Sequence, residues 1–436
     1  MNSAAAVPAP AAALYAMRRD PLAFFTTLAR EQGDFVRFRL GDHEHDLFLV
    51  NHPDSIREVL VTNDRKFTKW FSVDRIREVL GQGLLVSEGE FHLRQRRLAQ
   101  PAFHRERIAG YAEQMVALAI RLRDRWRVDE TVDVSAEMNW LAMMIVASTL
   151  FGADVEADAE EIRSALSEIL DQFERSILPQ ADRDDYEDAM ARLDAVIYRI
   201  IQERRASGED RGDLLSMLLL AQDSEGDGGA MTDQQLRDEV MTLFLAGHET
   251  SANALGWCWH LLAQHADVEA QFHAEVDTTL QGRSARMDDV PRLALCGRIF
   301  AEAIRLYPPV WAIARRAMVD CTIAGRAVPA GSVVILSQYV TQRDARWFPE
   351  PDRFDPERWI PETVATRPRF SYFPFSAGSR GCLGEAFAGA EGALCLAMIA
   401  QKWKLRRVSD APVALQPQLT LRPRHGIRMR VEPRSA

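Results

Sequence analysis

Tyr372–Gly384 reads YFPFSAGSRGCLG. One cysteine, Cys382, stands among Gly378, Gly381 and Gly384, with Arg380 two residues before it and Phe375 further upstream. Glycine lets a backbone turn tightly and come close to a partner. The next stretch, GEAFAGAEGALCLAMIAQKW, has the composition of a helix. Amide hydrogens at its start would point toward the sulfur and, as a metal would, favour thiolate over thiol. Phe375 is suited to shielding that sulfur from water. A cysteine taken alone at a helix start reads as a buried core residue. The full pattern F-x-x-G-x-R-x-C-x-G instead suits a thiolate that must approach something large and flat.

Upstream of this loop the chain divides into β-rich and helical stretches. In FVRFRLGDHEHDLFLVNHP, Val36, Phe38 and Leu40 alternate with Arg37 and Arg39, the chain turns near Gly41, and Leu47 and Leu49 follow. This reads as a hairpin, with Phe35 and Phe48 breaking the alternation. DSIREVLVTN is a short helix. From about Glu90 to Tyr307 the chain is mostly helical. Ser87 with Glu90 fits a capping box, and Thr232 with Gln235 fits another. The second opens a long, largely apolar segment, DQQLRDEVMTLFLAGHETSANALGWCWHLLAQHA, expected to cross the core. RASGEDRGD and DSEGDGGAMTD read as loops. The helix LCGRIFAEAIRLY should stop at Pro308-Pro309. CTIAGRAVPAGSVVILSQYV and LTLRPRHGIRMRVEP read as strands. The fold class is mainly α with segregated β-sheets. Residues 1–20 are expected as a loose leader and 21–436 as one large domain.

Composition narrows the function. The chain has 436 residues, 47% apolar and 27% charged, an ordinary globular balance. A formal charge of −10 argues against nucleic acid as the main partner. Cys258, Cys296, Cys321, Cys382 and Cys395 are scattered, odd in number and without C-x-x-C spacing. They suit neither a disulfide framework nor a structural zinc site, and fit a reducing, cytoplasmic setting. No long uncharged apolar run suggests a membrane span.

The cysteine loop resembles the haem-ligand loop of the cytochrome P-450 monooxygenases. The resemblance implies haem b (iron protoporphyrin IX) with Cys382 thiolate as the axial iron ligand. It also implies a single triangular-prism-like domain with haem between central and proximal helices. Further signatures occur in the family's order. Glu302 and Arg305 fit E-x-x-R, whose spacing puts both on one helical face. With Arg353 in PDRF they would form the family's buried ion network, a structural role. AGHETS (Ala246–Ser251) is similar to the oxygen-binding motif. There the helix would be distorted, with Ala246 and Gly247 making room beside the cofactor. Thr250 would hydrogen-bond dioxygen or its water, and Glu249 would help deliver protons. A helix with a stray glycine and a back-bonded threonine is the other reading of that segment.

His92 and Arg96, four apart on one helical face, match propionate contacts, as does Arg380. Arg315 or Arg316 should supply another, with Arg315 preferred. Gly384 completes the loop. Gln342 departs from the asparagine or histidine frequent at its position. The resemblance places an apolar substrate cavity among residues 70–86, Leu166–Leu178, Leu243, Phe244, Val310, Trp311, Ile313 and Leu419–Leu421.

The activity implied is insertion of one atom of O2 into a lipophilic small molecule: a terpenoid, carotenoid, fatty acid or polyketide-like compound. Electrons would come from a separate ferredoxin or flavodoxin with its NAD(P)H reductase, docking at the basic segment Arg94–Arg107. Monomer is the family default. A peroxide-driven peroxygenase and a non-catalytic haem-thiolate sensor are the alternatives; the intact Glu249–Thr250 pair argues against both.

Overall fold

The N-terminal hairpin forms as its alternation suggests. In the computed structural model, which describes residues 8–41, 45–70, 73–175, 184–220 and 231–434, strand Phe35–Phe38 pairs antiparallel with Leu47–Val50. Strand Leu47–Val50 then pairs in parallel with Val333–Leu336, and is buried at all four positions. An interior strand covered on both faces has no polar side, which is why Phe48 breaks the alternation. Ile313–Ala317 and Phe67–Lys69 complete a five-stranded sheet. Leu47, Leu49, Val333 and Ile335 enter one apolar cluster with Phe24, Phe25 and Leu28. Phe48, Val50, Val334 and Leu336 enter a second with Ile56, Leu60 and Phe373. The two-residue period of the strand sorts the side chains between these cores.

This sheet belongs to one of two compact units, residues 1–73 with 301–382. Its first ordered element corrects the expected loose leader. Pro10–Arg19 is a helix with proline in its first turn, Ala13 is fully buried, and the Pro10 carbonyl accepts from Gly41 N at 2.9 Å. Proline costs nothing at that position, and the alanines that follow are strong helix formers. Helix Ala294–Leu306 ends before the proline pair, as expected.

The second unit, residues 74–300 with 383–436, is mainly helical. Its central helix, Asp233–Leu262, runs unbroken for 30 residues, so the distortion expected at AGHETS is no break. The Thr232–Gln235 capping box forms: Gln235 N donates to Thr232 Oγ1 at 3.2 Å, and Thr232 N to Gln235 Oε1 at 2.9 Å. The other expected box does not. Helix Gly89–Ala99 has no side-chain cap, and the buried Ser87 hydroxyl lies 3.3 Å from Nδ1 of His92 instead. The central helix packs against helix Val134–Leu150, and Glu385–Ala400 packs against Arg105–Arg125. Separate small sheets lie in the same unit: Thr131–Asp133, Arg428–Pro433 and Trp403–Arg407 in one, Leu415–Pro417 and Leu421–Pro423 in another. The loop expected before Thr232 falls largely on residues 221–230, outside the described residues.

Candidate active site

In the first unit the cysteine loop is closed by short-range bonds. Cys382 N donates to Phe375 O at 2.9 Å, and Gly381 N to Gly378 O at 3.1 Å. Gly378 adopts φ +70°, and a Cβ there would lie 1.9 Å from the Leu60 carbonyl oxygen. No other residue fits that crossing. Among the described residues, Cys382 is the one exposed cysteine. Burial pushes the thiols of Cys258, Cys296, Cys321 and Cys395 up, keeping them protonated. The reading of Cys382 as a buried core residue therefore fails. The loop holds an accessible sulfur in fixed geometry, with Phe375 and Arg380 half-buried beside it in sequence.

Glu302 and Arg305 form a bidentate pair with both contacts at 2.8 Å and both side chains fully buried. The remaining Arg305 donors reach the carbonyls of Gln342 (2.9 Å), Pro351 (2.6 Å) and Arg353 (3.1 Å). All five N–H groups are thus used. Glu302 also accepts from Asp355 N at 3.0 Å and from Trp359 Nε1 at 2.9 Å.

The third cation is not the expected one. Arg353 lies in an exposed turn, its guanidinium 3.1 Å from Glu350, and gives Arg305 only its backbone carbonyl. Arg358, in the buried turn Pro356–Trp359, takes the place: its Nε is 3.4 Å from Glu302 Oε1. Gln342, a minor departure by sequence, is a fully buried clamp. Its Nε2 donates to the carbonyls of Ile304 and Arg305, both at 3.2 Å, and its Oε1 accepts from Phe373 N at 3.3 Å. It ties the end of the E-x-x-R helix to the segment leading into the cysteine loop. Strand alternation separates the two arginine candidates: Arg315 is buried, while Arg316 is exposed beside His45. Trp311 packs against Phe25, with ring centres 6.2 Å apart; Val310 and Ile313 are half-buried.

In the second unit the central helix is buried at every position from Leu236 to Leu262 except Ala246, Gly247 and Thr250. These three share one helical face, so an otherwise enclosed helix opens a narrow strip at AGHETS. Gly247 has a packing reason: a Cβ there would lie 2.9 Å from Val146 Cγ2 on the neighbouring helix. Thr250 donates its hydroxyl proton to Ala246 O at 2.6 Å, which leaves its oxygen able to accept. Glu249 points elsewhere. It is buried, and its Oε1 accepts from Thr420 Oγ1 at 2.6 Å. Its Oε2 has no hydrogen-bond partner among the described residues. Burial pushes this carboxyl above its usual range, against the opposing Thr420 hydrogen bond and the Arg422 charge. His248 is pushed down to about 4 by burial and stays neutral.

Sequence reasoning passed over a second buried acid. Glu391 accepts from Ser251 Oγ at 2.5 Å and is pushed up to about 8 by burial. An acid in the otherwise apolar interior of a helix, beyond the Glu385 of its first turn, was the available signal. His92 is buried and Arg96 half-buried one turn further on. Leu243 and Phe244 are buried; Phe244 stacks on Phe151 at 6.3 Å, and Leu419 is half-buried. Of the expected cavity wall, residues 71–72 and 176–178 lie outside the described residues. Gly384 caps helix Glu385–Ala400 without a side-chain bond.

The donor set fits an iron macrocycle. An accessible soft sulfur is held rigid by a crossing that admits only glycine, as a thiolate ligand to iron requires. No helix among the described residues is long and apolar enough to cross a membrane.

Comparison with known proteins agrees. Residues 11–429 match the family described as Cytochrome P450. The chain is 42% identical to cyclooctatin synthase of Streptomyces melanosporofaciens, over 93% of this chain and 90% of that one. It is 39% identical to cyclooctat-9-en-7-ol 5-monooxygenase of the same organism, over 90% and 87%. It is 36% identical to pentalenene oxygenase of Streptomyces avermitilis, over 94% and 93%. Among solved structures, the cytochrome P450DA heme domain superposes with a TM-score of 0.88 at 29% identity, covering 95% of this chain and 93% of that one. The chain belongs to the cytochrome P450 family and is an oxygen-inserting monooxygenase.

Proposed function

We propose that this chain oxygenates a cyclic terpenoid hydrocarbon or alcohol, with Cys382 as the thiolate ligand of haem iron. The observation that carries the ligand is the exposed Cys382 in a loop fixed by the Gly378 crossing. The substrate class rests on the relatives above, three of which are named for cyclic terpenoids. When bound, haem supplies reductive activation of dioxygen. The protein residues do the rest. His92, Arg96, Arg315 and Arg380 bind its carboxylates, arginine through a rigid donor fork. Thr250 holds a hydrogen bond at the open strip, and Glu249 holds and releases a proton. Glu302, Arg305 and Arg358 keep the segment before the cysteine loop in place. Leu243, Val310, Ile313 and Leu419 contribute apolar surface to the substrate. The chain from helix Pro10–Arg19 onward acts as one catalytic domain in the cytoplasm, as a monomer. A ferredoxin or flavodoxin docks at the basic segment, where Arg97 and Arg105 are exposed.

The test is turnover of purified, haem-loaded protein with a surrogate ferredoxin and reductase, under isotopically labelled dioxygen. The panel contains cyclic diterpenes, cyclic sesquiterpenes, carotenoids and fatty acids. The expected result is a cyclic terpenoid carrying one labelled oxygen atom. Oxidation confined to fatty acids or carotenoids would overturn the substrate assignment.

A further inference from the structure

The proton-supplying acid is wired in a definite sense. Glu249, Asn253 and Thr420 are each buried. Asn253 Nδ2 donates to Thr420 Oγ1 at 3.2 Å, and Thr420 Oγ1 lies 2.6 Å from Glu249 Oε1. A threonine hydroxyl has one hydrogen and two lone pairs. The Asn253 amide takes one lone pair, and Glu249 Oε1 is the acceptor that the hydroxyl meets among the described residues, so the single hydrogen goes to Glu249. Oε1 is then an acceptor in either charge state. A proton bound by Glu249 must sit on Oε2, the atom with no partner among the described residues.

We propose that Thr420 and Asn253 form a positioning pair that fixes which oxygen of Glu249 carries the transferable proton, leaving Oε2 as the acid's donor atom. This rests on the reading of Glu249 as a proton supplier and adds two residues that share no motif with it. Thr420 stands 171 positions from Glu249, in the turn joining strands Leu415–Pro417 and Leu421–Pro423. Burial favours the protonated acid, while the Thr420 bond and the charge of Arg422 act the other way. Thr420 therefore does two things. It turns the carboxyl so that its proton faces away from the hairpin, and it moderates the acid strength lost through burial. His248, the neighbouring titratable group on the same helix, is held neutral and adds no charge.

The experiment is infrared difference spectroscopy of the haem-loaded protein across a pH titration. It uses wild type, Glu249→Gln, Thr420→Val and Thr420→Ser. The carbonyl stretch of protonated Glu249 is the band lost in Glu249→Gln. In Thr420→Val, a near-isosteric change, Oε1 loses its donor; the band should move to higher frequency and its titration midpoint should rise. Thr420→Ser should restore both. In turnover, Thr420→Val should divert electrons from product to peroxide, and Thr420→Ser should recover the coupling. A band and midpoint identical in wild type and Thr420→Val would overturn the proposal. Unchanged coupling in Glu249→Gln would instead refute the proton-supply reading, while the band shift decides the Thr420 assignment independently. Thermal melting of each variant identifies one that fails to fold, and Thr420→Ser keeps the comparison decisive in that case.

Discussion

Removing Arg358 should destabilise the protein far more than removing Arg353, five residues earlier. Arg358 is 8% exposed at its side chain and sits 3.4 Å from a Glu302 carboxylate that is 0% exposed. Its Nη2 also donates to the Glu350 carbonyl at 2.9 Å. Arg358→Ala strips one cation from a buried anion that keeps Arg305, and orphans a carbonyl. Breaking a buried pair costs about 3–5 kcal/mol, and the surviving Arg305 contacts set the lower end, about 3 kcal/mol. Arg353 and Glu350 are 62% and 73% exposed, so Arg353→Ala should cost under about 0.5 kcal/mol. The gap of about 2.5 kcal/mol is roughly seventyfold in the unfolding equilibrium. Urea denaturation of haem-loaded protein, followed by tryptophan fluorescence and Soret absorbance, reads it as a shift in midpoint at unchanged slope. Equal midpoints for the two variants, or a larger loss in Arg353→Ala, would refute this assignment of the ion network.

The cysteine loop gives a second contrast. Gly378→Ala puts a Cβ 1.9 Å from the Leu60 carbonyl at a positive φ, so purified protein should lose its Soret absorbance relative to total protein. Gly381→Ala meets its nearest atom at 3.3 Å and should retain haem; equal loading in both would contradict the crossing argument. Glu391, pushed up to about 8 from 4.5 by burial, stays protonated in the folded state while the unfolded carboxyl ionises. Stability should therefore fall as pH rises from about 4.5 to 8, on the order of 1.4 kcal/mol per unit. Glu391→Gln should reduce that slope without abolishing it, because buried Glu239, also pushed up to about 8, contributes in the same direction. Denaturation curves falling in parallel for wild type and variant would count against the burial of Glu391. Finally, Arg97→Glu with Arg105→Glu should slow reduction by an acidic ferredoxin at low salt, and the difference should vanish at high salt. A stopped-flow rate unchanged at low salt would remove the docking assignment.

Local signals were the legible ones. Glu302 and Arg305 lie three apart, the Thr232–Gln235 box lies three apart, and the Cys382 loop is contiguous. Such spacings are set by helix and turn geometry alone. Long-range choices were not legible. Arg353 and Arg358 both occur in one proline-rich stretch, and only the fold turns one inward. Thr420 reaches Glu249 across 171 positions with no spacing that announces it. Gln342 looked like a neutral exchange, yet its amide satisfies two carbonyls at a helix end where backbone donors run out. The Ser87–Glu90 pattern was present, but Gly89, at φ +60°, takes the chain away from cap geometry and frees Ser87 for His92. Ala11–Arg19 carried helix propensity after a proline start; its apolar, N-terminal character drew the leader reading instead.

The most direct test of the central claim is the absorption spectrum of the dithionite-reduced, carbon-monoxide-bound protein, for wild type and Cys382→Ser. Cysteinate ligation predicts a strongly red-shifted Soret band in the wild type that disappears in the variant. A band that survives the substitution unchanged, or wild-type protein that takes up no haem, would contradict the assignment of Cys382 and the roles built upon it.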